Sequence, residues 1–306
     1  MARIIISLLL ALSISPLAFA QEAQNGPPSK TIDLRNPAKS NISNETEFDF
    51  MKGNPKLRNT IPLVRECATV EVEEERSHQH ADEKESKESF EDWLQQSMRK
   101  SQRTRSTRRL RGNVYTLPVV VHVIYSSPEE NISEEQVLSQ IRVLNQDYRR
   151  TNADKDKTPR SFKDVAVDTG IEFCLASVDP NGQPTNGINR VSMDGSPFSE
   201  RTLNEVVKPS TVWDASRYMN IWVCNISGGI LGFAQFPSSS GLSGIPLGST
   251  ASRTDGIVCN YNAFGTIGTA VAPFNKGRTM THEVGHWLGL RHIWGDGPCD
   301  EDDFCA

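Results

Sequence analysis

An α/β sandwich built on a mixed sheet is the fold class that this 306-residue sequence predicts. Three observations point there. YTLPVVVHVIY (115–125) is a β-branched, nearly continuous apolar run, which is how a strand buried on both faces reads. SEEQVLSQIRVLNQDYRR (133–150) follows, with Val137, Ile141, Leu144 and Tyr148 at helical spacing. Shorter apolar runs then alternate with Gly, Pro, Asn and Ser clusters until a second helix carries a group of histidines.

The first twenty residues, MARIIISLLLALSISPLAFA, place Arg3 before an apolar run from Ile4 to Ile14 and end on the small-x-small step Ala18-Phe19-Ala20. This is the pattern of a cleaved secretory signal peptide, so residues 1–20 are read as one and a secreted protein is expected. No later stretch holds eighteen consecutive apolar residues, so no membrane span is expected. The net charge of −5 gives no reason to expect a nucleic acid partner. Export places the six cysteines, Cys67, Cys174, Cys224, Cys259, Cys299 and Cys305, where disulfides persist. Their pairing does not follow from spacing. Cys174, Cys224 and Cys259 lie in strand-like runs, where a small buried hydrophobe is the simpler reading for at least one of them.

Residues 21–111 have the composition of a propeptide rather than a core. The polar, mostly acidic run EVEEERSHQHADEKESKESFED (71–92) is followed by the basic RKSQRTRSTRRLR (99–111), and neither buries enough apolar surface to fold alone. The basic run reads as an exposed processing hinge. His78 and His80 read as solvated side chains. From residue 112 a separate domain is expected, its texture changing by Val114 to an alternation of strands and helices. Its first helix opens with Ser133 as N-cap and Gln136 three residues on, a capping box. IEFCLASV (171–178), YMNIWVCNI (218–226), GILGFAQF (229–236) and DGIVCNYNAF (255–264) supply the remaining strands. His122, inside the first long strand, reads as a core or edge histidine.

THEVGHWLGLRHIWGD (281–296) carries the chemistry. On a helix, His282 and His286 are four residues apart, share a face and can grip one ion. Glu283 is displaced around the helix, close to that ion's water without being a ligand. Gly289 permits a positive φ, ends the helix and lets His292 turn back to complete the set. Three neutral nitrogens with an open fourth place suit a catalytic zinc, whereas a structural zinc is closed by four protein ligands. Val284, Trp287 and Leu288 give the helix an apolar face toward a core.

HEVGHWLGLRH resembles the extended zinc motif of the metzincin metallopeptidases. The continuation HIWGD, with PVVVHVIY, IEFCLA, DPNG and NIWVCN upstream, resembles the pappalysin family, in particular its bacterial, cytophagalysin-like members. The resemblance implies a metzincin-like upper subdomain, a twisted, mixed five-stranded sheet with two long helices. It implies His282, His286 and His292 as zinc ligands, Glu283 as general base, and protein or peptide substrates. It also makes GILGFAQF the edge strand on which Leu231, Gly232, Phe233 and Ala234 bind an extended peptide antiparallel, an ordinary strand being the alternative.

Cys67 stands alone before residue 112, in LVRECATVEVEEE. A thiolate suits the fourth place on zinc, and Arg65 and Cys67 loosely resemble the arginine-cysteine latency switch of pappalysin-like proenzymes. A disulfide to Cys174, Cys224 or Cys259 is the alternative. Metzincins carry a Met-turn after the third histidine, yet all six methionines here precede His282. The expectation is a fragment lacking the C-terminal subdomain and Met-turn, a shortened inert product being the alternative. Asp296, Asp300, Glu301, Asp302 and Asp303 suit calcium, or form a solvated acidic loop. The function expected is that of a secreted, monomeric zinc endopeptidase proenzyme. The competing reading is a non-catalytic, zinc-holding module that binds peptides.

Overall fold

The computed structural model describes residues 66–72, 75, 96, 99, 114–235 and 251–292. The expected signal peptide, most of the propeptide with Arg65 and the basic hinge, and the acidic loop with Cys299 and Cys305 lie outside the described residues.

The elements run β1 (Glu66–Cys67), β2 (Tyr115–Tyr125), α1 (Glu134–Tyr148), β3 (Ile171–Leu175), β4 (Ile188–Ser192), α2 (Glu200–Thr202), a π turn (Leu203–Val207), α3 (Lys208–Thr211), β5 (Met219–Cys224), β6 (Ile230–Ala234), β7 (Ile257–Asn260) and α4 (Arg278–Trp287). The seven strands form one sheet in the order β1-β6-β7-β5-β2, with β3 and β4 both on the far side of β2. All pairs are parallel except β6 with β7. β2 is long enough to take β3 along Tyr115–Val119 and β4 along Val121–Tyr125. The region from residue 112 therefore contributes six strands, one more than the five expected, because β3 and β4 share the same edge of β2. β1, from the early segment, adds a seventh.

Period-two alternation sends the sheet's side chains into two cores. Val119, Val121 and Val123 of β2 pack with Val137, Ile141 and Leu144 of α1 and Met280 and Val284 of α4. Ile124, Trp222, Phe233 and Val258 pack on the other face with Phe198, Leu203 and Val207 from the segment around α2 and α3. Helices thus cover both faces, the sandwich predicted. Pro118 lies inside β2, an unusual place for a residue with no N–H. The pairing explains it: β5 joins β2 only from Val119 onward, so at Pro118 the strand has β3 as its sole partner.

The α1 capping box is half formed. Ser133 Oγ accepts the Gln136 N–H at 3.2 Å, but the Gln136 amide does not return to the cap. It donates instead to Tyr261 O and Phe264 O and accepts Thr269 N–H, at 2.9–3.1 Å. Tertiary contacts thereby use a side chain that local sequence assigns to the helix start. Cys224 and Cys259 are buried and free, and Cys174 is exposed and free. No helix among the described residues is long and apolar enough to cross a membrane.

His122 is a core histidine. Its Nε2 lies 2.9 Å from Asn220 Oδ1 and its Nδ1 3.0 Å from Asn189 Nδ2, while its ring stacks on Trp222. An amide nitrogen only donates, so Nδ1 accepts and Nε2 carries the proton. Burial lowers the ring's pKa to about 4, against the opposing pull of the Asn220 hydrogen bond. The unfolded chain binds a proton here below about 6.5, whereas the fold refuses it until about 4. The stability from neutral His122 is therefore complete above about 6.5 and lost as pH falls through that window, by up to about 3 kcal/mol. Denaturant unfolding between pH 4 and 7 is expected to show this slope in the wild type and a flatter one in His122→Gln. Equal slopes would remove His122 from the account.

Candidate metal centre

Gly277, with φ 70°, stands at the N-cap of α4, which ends in a Schellman turn. Gly289 N–H donates to His286 O at 2.8 Å and Leu290 N–H to Gly285 O at 2.9 Å, and Gly289 has the positive φ expected, 102°. This turn carries His292 back beside the helix. The Nε2 atoms of His282, His286 and His292 stand 2.9, 3.1 and 3.2 Å apart. His286 Nδ1 lies 2.7 Å from Leu290 O. A carbonyl only accepts, so Nδ1 carries the proton and Nε2 presents its lone pair to the cluster, an orientation typical of a metal-binding histidine.

Cys67 is the fourth member. Its Sγ and one nitrogen from each histidine all lie within 4.8 Å of one another. The set fits zinc: nitrogens about 2.0–2.1 Å from a tetrahedral ion are about 3.3 Å apart, close to the spacing found. Burial, then the Glu283 charge, pushes the Cys67 thiol up, with a partial offset from Thr69. A thiolate at this spot needs a nearby cation. A disulfide to Cys259 does not fit. Cys67 and Cys259 pair with Gly232 from opposite sides, which sets them about 9–10 Å apart, beyond the about 7 Å that a disulfide spans.

Glu283 is 1% exposed and lies over β6. It fits because Gly232 has no side chain: a Cβ there would stand 3.0 Å from Glu283 Cγ, 3.2 Å from its Oε1 and 2.9 Å from Val258 O. Its Oε2 accepts the Thr69 hydroxyl at 3.1 Å, and Cys67 Sγ is 3.6 Å away. Of the four residues expected on the edge strand, Leu231 and Ala234 join the core beneath α1 and α4, Phe233 the opposite core, and Gly232 faces the carboxylate. The outer edge of β6 is occupied by β1, in parallel. Ala68 N–H donates to Gly232 O at 3.2 Å and Ala234 N–H to Thr69 Oγ1 at 3.0 Å. The sequence reading missed Thr69. Thr69 opens a helical turn just after β1, closed by Val72 N–H donating to Ala68 O at 3.0 Å, and no local sequence signal marks it.

The profile of the family Peptidase_M43, described as pregnancy-associated plasma protein-A, matches residues 201–305. Mature mirolysin of Tannerella forsythia, in complex with a cleaved peptide, is 49% identical, with a TM-score of 0.56 over 62% of this chain and 69% of that one. A promirolysin mutant of the same organism is 46% identical, with a TM-score of 0.57 over 67% and 66%. An extracellular metalloprotease of Pyricularia oryzae is 30% identical over 191 residues, 61% of this chain and 54% of its own length. The chain thus spans about half the length of that curated relative. It belongs to the pappalysin family of metzincin metallopeptidases.

Gly232→Ala is expected to displace Glu283 and to lower stability by about 1–3 kcal/mol, as overpacking does. Thermal unfolding of the whole chain checks this. An unchanged Tm would mean that the space over Gly232 is not needed.

Proposed function

We propose that this chain is the latent form of a secreted zinc endopeptidase. His282, His286 and His292 hold the ion, Glu283 is the general base, and the segment around Cys67 blocks the site. The observation that carries the reading is the convergence of three Nε2 atoms at 2.9–3.2 Å beside the buried Glu283 carboxylate. Zinc, when bound, supplies a Lewis acid for the scissile carbonyl and for a water.

Glu283 takes the proton from the attacking water and returns it to the leaving amine. β6 holds the peptide through the backbone of Leu231–Ala234, with the chain antiparallel to the strand. Before cleavage that edge belongs to β1, which runs parallel to β6. Cys67 fills the fourth place and Thr69 engages both the base and the edge N–H of Ala234. Release therefore requires removing the early segment, and the basic run at Arg105 to Arg111 is the expected cutting region. The leader at residues 1–20 and the relatives named extracellular metalloproteases support secretion. Mirolysin's complex with a cleaved peptide supports a peptide or protein substrate here.

Glu283→Gln is expected to keep zinc and to lower casein hydrolysis by about 10²–10⁴-fold, measured on protein cut within the basic run. Turnover at the wild-type rate would remove Glu283 from its role. Cys67→Ala is expected to hydrolyse casein without that cut. Full latency of this variant, beside an active cut wild type, would exclude the thiol as the block.

A further inference from the structure

The helix that carries His282 and His286 has no cap of its own. It starts at Gly277 with no side-chain capping bond and no acidic residue in its first turn. Side chains of α1 instead hold the first turns of this helix by its carbonyls and side chains. Gln140 Nε2 donates to Gly277 O at 2.9 Å. Asp147 Oδ2 accepts the Thr281 hydroxyl at 2.7 Å and lies 3.1 Å from Arg278 Nε. The Tyr148 hydroxyl donates to Thr281 O at 3.2 Å. Residues 140, 147 and 148 are seven and eight apart, so they share one face of α1. Gly277 permits the close approach: a Cβ there would stand 3.1–3.2 Å from Val143 and Gln140.

These contacts fix the rotation of α4 about its own axis. A side-chain tip about 6 Å from a helix axis moves about 1 Å for each 10° of rotation, whereas metal–ligand distances tolerate about 0.2 Å. His282 and His286 rotate with the helix. His292 follows Gly289 and the Schellman turn, so rotation changes its distance from the other two. A second observation separates this arrangement from ordinary packing. The Asp147 side chain is 8% exposed, and its Oδ1 is buried with no hydrogen-bond partner among the described residues. A buried carboxylate oxygen left unsatisfied is costly, so stability alone is a poor reason for an aspartate here.

We propose that Asp147 is a positioning residue for the metal centre: through Thr281 and Arg278 it sets the rotation of α4, and with it the distance from His282 and His286 to His292. The inference rests on the metal-centre reading above.

The test is chelator-competition zinc affinity, with absorption spectra of the cobalt-substituted protein, on the uncleaved full chain. The variants are Asp147→Ala, Asp147→Asn, Thr281→Val, Thr281→Ser and the double Asp147→Ala/Thr281→Val, with Tm of the metal-free form measured alongside. Asp147→Ala and Thr281→Val are each expected to weaken zinc about 10–100-fold, the range for groups that orient metal ligands, and to alter the cobalt spectrum. The double variant is expected to lose no more than the worse single, because both remove one hydrogen bond. Asp147→Asn and Thr281→Ser keep that bond and are expected to stay near wild type. Thr281→Val probes the same bond should Asp147→Ala fail to fold. Lower Tm in Asp147→Ala and Thr281→Val with wild-type zinc affinity and spectrum would overturn the proposal and leave Asp147 as a strut. A wild-type chain that holds no zinc would overturn the metal-centre reading, and this inference with it.

Discussion

Three imidazole nitrogens at 2.9–3.2 Å from one another are the constraint around which the rest is built. A proton shared between two of them leaves the third facing a lone pair, whereas a single cation satisfies all three together. His286 is committed to this arrangement because its other nitrogen is spent on Leu290 O. The surrounding fold follows from holding that triangle. The Schellman turn brings His292 back, Gly232 clears space for Glu283, and Trp287 Nε1 donates to Asp255 Oδ1 at 2.9 Å to fix the far end of α4.

On the proposed reading, the outer edge of β6 is where this centre meets its substrate. An edge strand offers a row of unpaired backbone groups. In the uncleaved chain β1 takes them, and on the proposed reading a substrate takes them later. The two occupants run in opposite directions along the strand. That difference matters chemically, because a parallel segment presents Cys67 and the Thr69 hydroxyl to the metal position and the base instead of a scissile carbonyl. The proposed block would thus occupy the same hydrogen-bonding groups that a substrate would use.

Much of this was legible in the sequence because it is local. His282, His286 and His292 declare themselves through a four-residue step and a glycine that reverses the chain. β2 declares itself through β-branched residues, and His122 reads as core because it lies among them. What the sequence hid is long-range. Thr281 meets Asp147 across 134 residues, and neither residue type is rare. Gln136 looked like half of a capping box, but its amide holds the loop at 261–269 instead. In the sequence, thiolate chemistry and a loose resemblance matched Cys67 to a metal with a disulfide left open, whereas the fold sets its Sγ among the three histidines and its register opposite Gly232 away from Cys259.

The most direct test is X-ray absorption at the zinc edge on the intact, uncleaved chain. The account predicts one zinc per chain, with three nitrogens at about 2.0–2.1 Å and one sulfur at about 2.3 Å. A zinc shell without sulfur would contradict the role given to Cys67. A chain that retains no stoichiometric zinc would contradict the centre itself.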